Sequence, residues 1–60
     1  MSTLDLNGEE REILIETLES AISDLGGEIA DTKSHDYREG LKSRKKALME
    51  ILERLRQVAS

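Results

Sequence analysis

The chain has 60 residues, with 13 acidic and 9 basic side chains, a net charge of −4, one His and neither Cys nor Pro. Without Cys there are no disulfides, and so short a chain then usually needs a metal or oligomerisation to be stable. The start lacks a basic region followed by an apolar stretch, and no apolar run exceeds three residues, so we expect a cytoplasmic protein with no signal peptide and no membrane role.

The first predicted helix covers about residues 7–32 and follows a flexible N-terminal arm, residues 1–6. Asn7 with Glu10 three residues later is typical of a capping box. The apolar residues that follow recur at alternating spacings of three and four, as in a helix that packs against another helix. They are Ile15, Leu18, Ile22, Leu25 and Ile29, with Leu14 and Ala21 on one flank.

Gly26 and Gly27 interrupt this helix pattern, and each glycine costs about 1 kcal/mol relative to Ala inside a helix. The helix could end there. However, Leu25 and Ile29 keep the apolar spacing in phase across the pair. We therefore predict a continuous helix in which the glycines leave room for a backbone or a long side chain.

The second predicted helix covers about residues 35–58 and follows a polar connection. Either Ser34 or Asp36 could cap it, and Asp36 with Glu39 makes the better capping box. The predicted contact line along this helix again has spacings of four and three, and Leu52, Ala47 and Ala59 flank it. It consists of Tyr37, Leu41, Arg44, Leu48, Ile51, Leu55 and Val58.

Two long helices joined by a few residues lie antiparallel, so the fold class is an all-α helical hairpin. A turn centred on residue 34 places residues whose numbers sum to about 68 opposite each other. We therefore expect Arg44 to lie near Gly26 and Gly27 and to pair with Asp24 or Glu28. One hairpin is a single layer in which each helix has only one neighbour. We therefore predict a homodimer that completes a four-helix bundle, the partner being a second copy of the chain. The predicted core and dimer residues are Leu14, Ile15, Leu18, Ile22, Leu25, Ile29, Leu41, Leu48, Ile51, Leu52 and Leu55.

Charge is divided between the two halves of the chain. Residues 1–32 are strongly acidic and residues 33–60 are basic, which favours pairing of unlike halves. Basic residues of the second helix form a possible anion-binding cluster, which makes a small nucleic-acid-binding regulator the alternative function. The overall acidity and the lack of a nearby aromatic residue argue against that alternative. The cluster consists of Arg38, Lys42, Lys45 and Lys46.

Catalytic, metal and cofactor signatures are not found in the sequence. Asp31, His35 and Glu39 are spaced by four, but the predicted turn separates Asp31 from His35, and no HExxH pattern is present. The expected function is that of a non-catalytic protein without a metal or cofactor. It would act through protein–protein contacts, using outward residues such as Ile13 and Met49 or the exposed charged faces, with an unidentified protein as a further partner.

Four stretches together carry a family resemblance: Ile22–Leu25, Glu28–Thr32, His35–Glu39 and Leu41–Lys42. They resemble a family of small, uncharacterised bacterial proteins with an acidic first helix, a short turn containing Thr, Asp and His, and a basic second helix. The resemblance covers roughly residues 9–55. It implies a two-helix fold in a bacterial protein, and it carries no activity or functional residue.

Overall fold

The computed structural model describes residues 5–58, and the side chains of residues 5–57. It consists of two helices, α1 over Gly8–Asp31 and α2 over His35–Val58, each of 24 residues. They pack against each other in one layer, with extents of 41 × 23 × 14 Å. The predicted all-α hairpin is confirmed, whereas the four-helix bundle stays a prediction. Residues 1–4 of the predicted arm, and Ala59 of the predicted flank, lie outside the described residues, as does the side chain of Val58.

Helix α1 begins at the predicted cap. The Asn7 side chain accepts a hydrogen bond from the Glu10 backbone N–H at 2.7 Å, and the Glu10 carboxylate accepts one from the Asn7 N–H at 3.1 Å. Two N–H groups that the helix cannot pair are satisfied in this way. The helix continues through Gly26 and Gly27 without a break, as predicted, because Leu25 and Ile29 stay on the face toward α2.

Helix α2 is capped by Ser34, so the prediction that favoured Asp36 is wrong. The Ser34 hydroxyl accepts a hydrogen bond from the Tyr37 N–H at 3.3 Å, and its carbonyl accepts one from the Arg38 N–H at 3.0 Å. Asp36 lies inside the first turn, where its charge is favourable to the helix dipole. The connection between the two helices therefore has three residues, 32–34.

Arg38 joins the start of α2 to the end of α1. Its Nε donates to the Ile29 carbonyl at 3.2 Å, and its Nη2 donates to the Thr32 carbonyl. The last turn of α1 has no basic residue of its own. The guanidinium therefore supplies both hydrogen bonds and a positive charge where the helix leaves unpaired carbonyl groups. We call this set of contacts the Arg38 clasp.

The face of α2 toward α1 differs from the predicted one. Leu41 and Leu52 are buried, whereas Tyr37, Arg44 and Ile51 are exposed. The contact line of α2 is thus Arg38, Leu41, Lys45, Leu48, Leu52 and Leu55, all of them at least half-buried. The predicted and observed lines share Leu41, Leu48 and Leu55, so a spacing of three and four fits both.

The predicted position of Arg44 near the glycines is also wrong. Lys45 occupies it: its Nζ lies 4.0 Å from the point where a Cβ on Gly26 would be. The half-buried Lys45 side chain thus reaches α1 with its charged end over Gly26, where no side chain of α1 is in the way. Within the described residues, Arg44 makes no ion pair with Asp24 or Glu28.

Loss of the Arg38 clasp should destabilise the hairpin. We expect Arg38→Ala to lower the free energy of unfolding by about 2 kcal/mol, because hydrogen bonds to a charged group contribute about 1.5–3 kcal/mol. Urea unfolding followed by circular dichroism, at one fixed protein concentration, measures this. Arg54→Ala is the control, because Arg54 is exposed on the same helix. Equal effects of the two substitutions would show that the clasp contributes nothing.

Gly27 should be replaceable with a gain in stability. It lies inside α1 with no positive φ, and an added Cβ would meet no atom within 4 Å. We expect Gly27→Ala to raise the free energy of unfolding by about 0.5–1 kcal/mol, since Ala loses less backbone entropy than Gly. Gly8→Ala, at the first residue of the helix, is the control and should gain less. A shift of the urea midpoint to lower concentration for Gly27→Ala would contradict the prediction.

Candidate functional site: two faces of the hairpin

Helix α2 presents different chemistry on its two sides. Successive residues are rotated by about 100° around a helix axis. With Leu41 and Leu52 directed at α1, one side of α2 carries Lys42, Lys46 and Met49. We call this side of the hairpin the lysine face. The opposite side, which we call the second face, carries on α2 the residues Tyr37, Arg44 and Ile51.

An open groove of about 460 Å³ runs along the lysine face, beside Ile29 of α1. Met49 and Ile29 form its apolar floor, and Met49 is 51% exposed. Three lysines and one carboxylate surround this floor, so the groove has a local positive charge. These surrounding residues are Lys42, Lys45, Lys46 and Glu50.

Two exposed ion pairs belong to this part of the surface. Lys42 Nζ lies 3.5 Å from Glu39 one turn earlier, and both side chains are about half exposed. Arg56 Nη2 lies 2.5 Å from Glu19 and connects the helices near their open end. Exposed pairs of this kind contribute at most about 1 kcal/mol. The groove lysines thus stay accessible to an anion in the single chain.

The predicted anion-binding cluster is divided by the fold. The structure brings Lys42, Lys45 and Lys46 together around one groove. Arg38 is set apart from them, because its guanidinium donates to the carbonyls of Ile29 and Thr32. No sequence motif marks this use of Arg38. The one available signal is that α1 ends without a basic residue, while an arginine follows soon after the turn.

On α1 the second face carries Leu14, Ala21 and Glu28, which lie seven residues apart and on the side away from the groove. Leu14 and Ala21 are only half-buried, and on α2 Tyr37 is 56% and Ile51 is 42% exposed. Arg44 and Glu28 are exposed on this face. Exposed apolar residues that lie together on one side of a protein mark a surface able to contact another protein.

The predicted core and dimer residues fall into three groups. Leu25, Leu41 and Leu52 are buried, and Ile51 is exposed. The others are half-buried, with one side toward the opposite helix and one toward solvent, so their role between two copies stays a prediction. They are Leu14, Ile15, Leu18, Ile22, Ile29, Leu48 and Leu55.

His35 lies exposed at the first residue of α2, and the 32–34 connection separates it from Asp31. Across residues 5–58, no three His, Cys, Asp or Glu side chains converge on a point where they could hold a metal ion. Neither helix, over the described part of the chain, contains a segment with the length and apolarity needed to cross a bilayer.

Comparison with known proteins adds no relative. No protein-family model, curated protein or solved structure matches this chain. The resemblance to small bacterial two-helix proteins therefore stays a prediction, and the functional argument depends on the two faces of the hairpin.

Proposed function

We propose that this chain is a non-catalytic, homodimeric helical protein that acts through protein–protein contacts. Two copies would complete a four-helix bundle, and the outer surfaces of that bundle would present the charged faces to a further protein. The family resemblance is compatible with this proposal, since it also implies a small helical protein without a recognised activity.

The incomplete burial of the apolar residues carries the proposal. Among residues 5–57 only Leu25, Leu41 and Leu52 are buried, each with 7–8% of its surface exposed. The other apolar residues along the contact between the two helices, such as Leu18, Ile22 and Leu48, keep part of their surface in water. Burial of apolar surface is worth roughly 25 cal/mol per Å², so a second copy that covers these edges has a substantial driving force.

Self-association is directly measurable. We expect sedimentation equilibrium at micromolar concentration to give twice the 6.8 kDa mass of the chain. Because the dimer stabilises the fold by mass action, the thermal midpoint should rise with protein concentration. A 6.8 kDa species with the full helix content and a concentration-independent midpoint would overturn the proposal.

The lysine groove favours a second candidate function, binding of nucleic acid. Lys42, Lys45 and Lys46 line one groove, and lysine cations of this kind contact the phosphates of nucleic acids. Helix α1, however, adds a strongly acidic surface to the same small molecule. The only aromatic residue, Tyr37, lies on the second face and not beside the lysines. Base stacking in the groove is therefore not available.

Salt-dependent retention on a nucleic-acid column tests this candidate. Three phosphate contacts predict that the logarithm of the affinity falls against the logarithm of salt concentration with a slope of about −3. Lys46→Glu should abolish retention, and Arg54→Glu, the same charge change outside the groove, should weaken it less. The candidate is excluded by a lack of retention at low ionic strength, or by equal effects of the two substitutions.

A further inference from the structure

We propose that the two copies meet through their second faces, with both turns at the same end of the bundle and α1 of each copy beside α2 of the other. This inference rests on the proposed dimer and adds its interface and its orientation. The contact is centred on a charged layer that Arg44 and Glu28 form together with Glu28 and Arg44 of the partner subunit.

The opposite net charges of the two helices decide which helix of the partner subunit lies against each of them. Helix α1 carries eight acidic side chains and one basic side chain. Helix α2 carries seven basic and four acidic side chains.

Two hairpins that stack face to face with two-fold symmetry have two simple arrangements. With the symmetry axis along the helices, α1 lies on α2 of the partner; with the axis across them, α1 lies on α1 of the partner. Unlike charges favour the first arrangement, in which the turns share one end.

The lysine face is a poor interface in that arrangement. Rotation about an axis along the helices keeps every residue at its own level. The lysines would therefore meet the α1 residues that are level with them, Gly26 and Ile29, which carry no charge. Burying the groove there would place its three lysines beside a single carboxylate, that of Glu50, in each copy, and buried charges left unpaired are strongly unfavourable.

The second face has matched charges at one level. Gly26 is beside Lys45, and Glu19 is paired with Arg56. These two contacts place Arg44 level with about residues 27–31 of α1, a segment that includes Glu28. In the proposed dimer, Arg44 of each copy therefore lies beside Glu28 of the partner subunit. The four side chains form a neutral layer.

Apolar residues continue the same face beyond this layer. The same two contacts place Ile51 level with about residues 20–24 of α1, a segment that includes Ala21. Ile51 would thus pack on Ala21 of the partner subunit, with Leu48 and Leu55 on either side along α2. The exposed side of Ile51 is covered by this contact, whereas Met49 stays in solvent on the outer surface.

Charge reversal at the proposed layer tests the interface. We expect Arg44→Glu or Glu28→Arg alone to weaken dimerisation at least about tenfold, because each places two pairs of like charges in contact. An equimolar mixture of the two variants should instead form a heterodimer, in which both pairs are opposite in charge again. Lys46→Glu, an exposed cation on the lysine face, is the control and should leave the dimerisation constant within about twofold of wild type.

A pair of apolar substitutions tests which face is covered. Ile51→Ser should weaken dimerisation at least about tenfold and Met49→Ser should leave it nearly unchanged, because the dimer covers the exposed apolar surface of Ile51 in both copies and leaves Met49 in solvent. The two residues are exposed to similar extents in the single chain, 42% and 51%. The opposite order would place the interface on the lysine face and overturn the inference.

Spin labels test the orientation. The chain has no Cys, so Lys33→Cys provides one attachment site in the connection between the helices. Turns at the same end place the two labels within roughly the width of a bundle. Turns at opposite ends place them about 36 Å apart, the length of a 24-residue helix.

The longer distance between the labels overturns this inference alone, and so does unchanged dimerisation of Arg44→Glu in a chain that does dimerise. A wild-type chain that stays monomeric overturns the proposed function as well.

Discussion

A hairpin of two helices is a single layer, and each helix in it can cover only one side of its neighbour. Domains usually bury their apolar surface between two or more layers. Here the consequence is visible residue by residue: one leucine of α1 and two of α2 are buried, and the residues beside them keep one side in water. Both sides of the hairpin therefore keep apolar surface that a second layer would cover.

The rotation of α2 depends on polar contacts as much as on apolar ones. The Arg38 clasp fixes the first turn of α2 against the carbonyl end of α1, and Lys45 extends over Gly26 one to two turns later. With these two residues turned toward α1, Leu52 and not Ile51 enters the contact line. The same rotation directs Tyr37, Arg44 and Ile51 to one side and the lysines to the other. The contacts near the turn thus determine which side chains of α2 lie on each face of the hairpin.

Much of this fold could be predicted from the sequence, because the start and the continuity of each helix depend on residues that are close together in the chain. Asn7 and Glu10 indicate the start of α1, and the spacing across Gly26 and Gly27 indicates its continuity. The rotation of α2 could not be predicted, because two lines with the same three-and-four spacing pass through Leu41, Leu48 and Leu55. The choice between them depends on contacts between residues of different helices, and the spacing of apolar residues within one helix carries no information about those contacts. The lysine cluster was predicted on one helix, but the removal of Arg38 from it required the position of the α1 carboxyl end.

A charged layer inside a bundle is a poor source of stability, since the two charges lose much of their hydration. Its best-attested use is to specify the register and the orientation of helices, because any other arrangement leaves the charges unpaired. Arg44 and Glu28 fit that role, because they lie on the same face and at the same level, and the apolar residues Ala21 and Ile51 continue that face. A dimer formed on this face also directs the two lysine grooves to opposite outer surfaces. In such a dimer one straight polyanion would contact the three lysines of a single groove, so its binding would carry the weak salt dependence of about three phosphate contacts.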